Sequence, residues 1–161
     1  MTATVNETPV LTPEILLDHW QGHRRVTRRV IEAFPEDQLF SFSVGSMRPF
    51  SEMAIEFLKM AEPSVRGVAT GEWPKWGDYD APRTKTELLA RWDEATAALN
   101  ALWPTIPTHR FMEVDKAFGM WEGRGIDLIL YCIENEIHHR GQGYVYLRAL
   151  GIEPPSFYDR S

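Results

Sequence analysis

Apolar residues recur along this chain at steps of three and four in four separate stretches, and no run alternates convincingly at period two. That periodicity gives each of four helices one apolar face, so the faces must be buried against one another. The first helix opens at Thr12-Pro13-Glu14, where Thr12 caps, Pro13 suits the first helical position and Glu14 favours the positive dipole end. Its inward stripe reads Leu16, His19, His23, Val26, Val30 and Phe34, and Pro35 stops it. The second starts near Pro49 and carries Phe50, Met53, Phe57 and Met60, with Glu56 flanking the stripe. Pro63 is expected to kink or interrupt it before Gly71. The third opens on the capping box Thr84-Lys85-Thr86-Glu87, presents Leu88, Trp92, Ala95, Leu99 and Leu102, and ends at Pro104. The fourth runs from about Ile126 to Leu150, with Gly151 placed for a left-handed cap. Its first half is apolar on nearly every side, which predicts the most buried helix of the four.

Four amphipathic helices in 161 residues make a single all-α domain, a four-helix bundle with long loops, spanning residues 1–161. Residues 1–11 and 152–161 are expected as extended termini. The connections are long enough to permit crossovers, so periodicity leaves the helix order open. One of them, GEWPKWGDYDAPR, is turn-rich and holds Trp73 and Trp76. A loop of that length in a small domain commonly covers a cleft or a subunit interface. For the two tryptophans, packing outweighs a ligand cage.

A net charge of −6 excludes an extended nucleic-acid footprint, which needs a concentrated excess of Lys and Arg. The local cluster His23, Arg24, Arg25, Arg28 and Arg29 reads as a solvated helix face. The single Cys132 reads as a small buried hydrophobe and points to a reducing compartment. The first ten residues lack the basic and apolar regions of a secretory signal, and the apolar stretch Ile126–Ile133 is too short to span a bilayer. A cytoplasmic protein without membrane or nucleic-acid partners is expected.

Within the fourth helix the apolar surface gives way to ENEIHHRGQ, residues 134–142. Leu128, Cys132, Asn135, His139 and Tyr146 share one face, so Asn135 and His139 sit a turn apart and aim together at the bundle interior. Buried polar groups must be paired, metal-bound or open to a cavity. Two readings follow: a hydrogen-bond network with acids on a neighbouring helix, or a metal site. His19 and His23 read as buried neutral histidines.

The run ENEIHHRGQGYVYLRALGI resembles the final-helix signature of the DinB-like superfamily, a segment of the form H-E-x-x-H-H-R-G-Q followed by an aromatic-apolar stretch. RPFSEMAIEFLKMAE resembles the second helix of that superfamily, which includes the metal-dependent bacillithiol- and mycothiol-type transferases. The resemblance implies a four-helix bundle, often a homodimer, with a divalent metal held by three histidines. One of these lies on the second helix, and two lie at i and i+4 on the last. In this chain His139 matches the second of that pair, Asn135 stands at the first, and Glu56 stands at the helix-two position. Two imidazoles are thus replaced by oxygen-bearing side chains. A Glu56, Asn135 and His139 set is a candidate holder of Zn, Ni or Mn. His23 is a possible extra ligand, and Glu136, His138 and Arg140 are expected in support around the set. The alternative is a metal-free core in which Glu56 accepts a hydrogen bond from His139. No catalytic residue is assigned. The implied function is a divalent-metal-dependent transferase or hydrolase with a small thiol-type ligand. The alternative is a non-catalytic, stress-associated binding or dimeric scaffold protein that has lost the metal.

Overall fold

The computed structural model describes residues 9–77 and 79–161, so most of the expected N-terminal extension lies outside the described residues. In chain order the elements are α1 (Pro13–Ala33), the one-turn α2 (Glu36–Leu39), α3 (Phe50–Thr70), α4 (Lys85–Leu102), strands β1 (Val114–Ala117) and β2 (Trp121–Arg124), and α5 (Gly125–Ala149). Single 3-10 turns at Trp103–Thr105 and Thr108–Phe111 lead from α4 toward the strands. The caps fall where the sequence places them. Thr12 accepts from the Ile15 amide at 3.3 Å, and Thr84 accepts from the Glu87 amide at 3.2 Å. The Glu87 carboxylate reaches the amide of Arg83, one residue before the cap itself. Gly71 and Gly151 close α3 and α5 with φ of 78° and 75°.

The four long helices form a ring. α1 packs on α4 and α5, and α3 packs on the same two, so α1 and α3 face each other across one diagonal. Directions follow from two apolar clusters. Leu16 of α1 shares one cluster with Ile129 and Ile133, while Val30 shares the other with Tyr146 and Leu147, so α1 and α5 run parallel. By the same test α3 and α4 run parallel, with Met53 beside Leu88 at one end and Val65 beside Leu99 at the other.

A parallel neighbour cannot be reached by a short turn. The chain leaving α3 must return the length of a helix, about 31 Å for 21 residues. The 14 residues from Gly71 to Thr84 reach up to about 46–50 Å when extended, which suffices. Trp73 packs against the first cluster and Tyr79 against the second, so this segment is the crossover itself. That is why the loop is long.

Several expectations need correction. The segment read as irregular holds an antiparallel hairpin, with Val114 opposite Arg124 and Ala117 opposite Trp121. α2 was not foreseen, because one turn is shorter than the helical period needs to declare itself. α3 runs through Pro63 unbroken. The most buried long helix is α3 with 12 buried residues, not α5 with 9, because Tyr131, Ile137 and Val145 of α5 face outward. Arg24 is buried rather than solvated, and His19 is exposed rather than inward. The tail after Gly151, which turns at Phe157–Tyr158, lies back on α1: Arg25 donates to the Arg160 carbonyl, and Arg29 to the carbonyls of Asp159 and Ser161. No described helix is long and apolar enough to cross a membrane.

Two glycines of α5 separate a packing role from an idle one. A Cβ on Gly143 would lie 2.6 Å from the fully buried Phe50 ring, whereas one on Gly141 would meet nothing within 4 Å. Gly143→Ala is expected to destabilise by about 1–3 kcal/mol through overpacking. Gly141→Ala is expected to stabilise by about 0.5–1 kcal/mol through helix propensity. Urea denaturation of the two variants measures both, and effects of the same sign would contradict this packing.

Candidate functional site

α3 and α5 bring Glu56, Asn135 and His139 together. The Asn135 amide donates to Glu56 Oε1 at 3.0 Å and also lies 3.4 Å from the Met60 sulfur. The other carboxylate oxygen of Glu56, Oε2, accepts from Arg48 Nη1 at 2.6 Å. His139 Nε2 stands 3.6 Å from Glu56 Oε1, within ion-pair range but too far for a hydrogen bond. The opposite ring nitrogen, Nδ1, donates to the side-chain oxygen of Gln142 at 2.9 Å, because an amide oxygen only accepts. The ring stacks on Phe57 with centroids 6.1 Å apart. Burial pushes the Glu56 carboxyl up, but the hydrogen bonds from Asn135 and Arg48 outweigh it and hold the group below the ordinary glutamate range. Glu56 is therefore a carboxylate at neutral pH, and its direct hydrogen bonds come from Asn135 and Arg48 rather than from His139.

The donor set tests poorly as a metal site. The 3.6 Å gap between His139 and Glu56 is near the separation of about 3.4 Å that two donors adopt on one tetrahedral zinc. Asn135, however, presents its NH₂ to the carboxylate, and turning the amide would set two acceptor oxygens 3.0 Å apart. Arg48 already neutralises the negative charge that the carboxylate would lend to a cation. These groups fit an ion pair braced by an amide better than they fit a metal.

The residues expected in support divide between two faces of α5. His138 is exposed, its ring centroid 4.9 Å from that of His139 in an edge-on arrangement. Glu136 and Arg140 turn instead toward α1, which corrects their expected place around Asn135 and His139. One residue along a helix is a rotation of about 100°, enough to move a side chain to another interface. Glu136 is 1% exposed and accepts from Thr27 Oγ1 at 2.5 Å and from Trp20 Nε1 at 3.2 Å. Arg140 donates to the His23 carbonyl at 2.9 Å, to Thr27 Oγ1 at 3.2 Å and to His23 Nδ1 at 2.9 Å. His23 is thereby committed as an acceptor on the α1 side, which corrects its expected place as an extra ligand. Arg24 completes this second cluster with bonds to Thr96 and the Trp92 carbonyl, its guanidinium 4.2 Å from the Trp92 ring centroid. Burial drives the Glu136 carboxyl up, while Arg24, Thr27, Arg140 and Trp20 pull it back.

Sequence reasoning missed Arg48, Gln142 and Trp20 as members of these networks. Gln142 was within reach, since it lies three residues after His139 on the same helix face. Arg48 sits in a loop, where no periodicity marks orientation. Cys132 is buried as expected, and burial raises its thiol to about 11, leaving it inert at neutral pH.

Burial, and then the Arg140 guanidinium, push the His23 imidazole down to about 3. The unfolded chain takes up that proton near pH 6.5, whereas the folded chain does not until about pH 3. Between those values the unfolded state binds more protons, so His23 lowers stability as pH falls through that window. His23→Asn keeps an acceptor for Arg140 and removes the titration. Its melting temperature is expected to fall less steeply than that of the unmodified protein between about pH 6.5 and pH 4. Parallel slopes in thermal melts would contradict a neutral, buried His23.

The fold has relatives. The chain is 25% identical over 151 residues to the uncharacterized protein YjoA of Bacillus subtilis, covering 90% of this chain and 95% of that one. The crystal structure of a DinB-like protein from Bacillus subtilis, YjoA, superposes with a TM-score of 0.74 at 20% identity, covering 88% of this chain and 96% of that one. A DinB-like protein from Bacillus cereus gives a TM-score of 0.72 at 17% identity, covering 90% and 97%. These likenesses under 25% identity bear on the fold alone. The model of the DinB family matches residues 1–161, and the chain belongs to that family.

Proposed function

We propose that this protein is a non-catalytic DinB-family member, a cytoplasmic homodimeric binding or scaffold protein whose metal position has become an internal polar network. The observation that carries the proposal is the Arg48–Glu56 ion pair at 2.6 Å, with Asn135 donating to the same carboxylate. In this reading, Arg48 takes over the charge balance that a divalent ion would provide, and Asn135 takes over its geometric role of tying α3 to α5. Arg48 is partly exposed, so the pair contributes little to stability beyond about 1 kcal/mol. Its consequence is chemical: it leaves no open, electron-rich donor set to activate a thiol or a water.

The test is metal analysis of the untagged protein after incubation with Zn, Ni and Mn, together with thermal melts in each ion. No stoichiometric metal and no rise in melting temperature are expected, since only a ligand selective for the folded state stabilises it. Asn135→His in an Arg48→Ala background presents two imidazoles and a carboxylate, and this variant is expected to take up Zn. One metal per unmodified chain, lost in Glu56→Ala and His139→Ala, would overturn the proposal and restore a metal-dependent transferase or hydrolase acting on a thiol-type ligand.

A further inference from the structure

On the side of α5 away from the Glu56 site, the returning tail encloses a cleft of about 600 Å³, a volume suited to a small molecule. Its walls include Ile137, Tyr144 and Arg148 of α5 and Pro154, Phe157 and Tyr158 of the tail, and Gly141 lies in its floor. Three observations bear on what it holds. Gly141 stands inside a helix, where glycine is less stable than alanine, yet no packing contact requires it. What a side chain there would fill is the cleft.

The second observation is charge. On a chain with net charge −6, Arg29, Arg140 and Arg148 all act on the Tyr144 hydroxyl, and Arg160 lies close enough to act on Arg140. Glu136, which acts on Arg140, Glu153 of the lining and Asp159, which feels Arg29, offset part of this and leave Arg148. Arg29 and Arg140 are engaged with backbone carbonyls. Arg148 forms no ion pair among the described residues and leans over the Tyr144 ring at 5.9 Å. The third is the Tyr144 hydroxyl itself, buried with no hydrogen-bond partner among the described residues. That hydroxyl has almost no accessible surface, so Tyr144 meets the cleft through its ring, and Arg148 is the cation left to pair with an anionic group.

We propose that the cleft between α5 and the tail, floored by Gly141 and edged by Tyr144 and Arg148, binds a small organic anion with an aromatic or aliphatic body. Arg148 pairs with the anionic group, and Ile137, Pro154 and Phe157 cover the apolar part. The site is independent of the Glu56 network, so it stands whichever way the metal assay falls.

Fluorescence titration with 8-anilinonaphthalene-1-sulfonate tests it, with uncharged N-phenyl-1-naphthylamine as the comparison probe. Saturable binding of the sulfonate to the folded protein is expected, weakened about tenfold or more by Gly141→Leu, which fills the floor, and by Arg148→Glu. The uncharged probe is expected to respond to Gly141→Leu but not to Arg148→Glu. Arg148 is exposed, so its variant reads the site even where Gly141→Leu disturbs the helix. No saturable binding, or sulfonate affinity unchanged by Arg148→Glu, overturns the proposal. So does a dimer that light scattering shows to be broken by Gly141→Leu, since a second copy would then cover the cleft.

Discussion

A carboxylate sealed in the middle of a helical bundle constrains everything around it. Glu136 is withdrawn from water between α1 and α5, and an uncompensated charge there would cost several kcal/mol. Compensation comes from Thr27, Trp20, Arg24 and Arg140, three of them on α1 and one on α5. These partners accept only one axial register and one rotation of α1 against α5, because a shift of a single residue would strand charges on both sides. The two apolar clusters lie toward the two ends of the bundle, with the polar layer between them.

The same helix serves a second polar layer on its other face. Asn135 and His139 meet Glu56 and Arg48 of the α3 side, while Glu136 and Arg140 meet α1. α5 is therefore pinned from two directions by side chains only one residue apart in sequence. The two layers balance charge by the same means: a carboxylate is matched by a guanidinium, and amide or hydroxyl donors fill the remaining lone pairs.

Helix ends were readable because capping is local: Thr12, Thr84, Gly71 and Gly151 act within a few residues of themselves. Burial of the apolar stripes was readable for the same reason, save where His19 proved exposed. Which stripe meets which was not, since periodicity records that a face is hidden and not what hides it. The α3–α5 candidates were legible through resemblance, and the structure brings Glu56, Asn135 and His139 together. The α1–α5 cluster was read as support for that site, because Glu136 and Arg140 carry the composition of a solvated surface. Only their partners, more than 100 residues distant, reveal them as interior. The hairpin was illegible because its four-residue strands expose Val114 and Trp121, so no buried alternation marks them.

The parallel pairing of α1 with α5 has a kinetic side. Their contacts join residues 109 to 117 positions apart, as in Thr27 with Glu136 and His23 with Arg140. Helical bundles of adjacent antiparallel hairpins fold quickly because their contacts are local, and this arrangement gives up that advantage. During synthesis α1 emerges before α5 and waits for its parallel neighbour until the intervening helices have been made. Through that interval Trp20, Val26 and Val30 lack the α5 part of their cover, and the residues later sealed around Glu136 remain hydrated. The charged seam thus joins the two long helices that lie farthest apart along the chain, and its closure dehydrates Glu136 and Arg140 together.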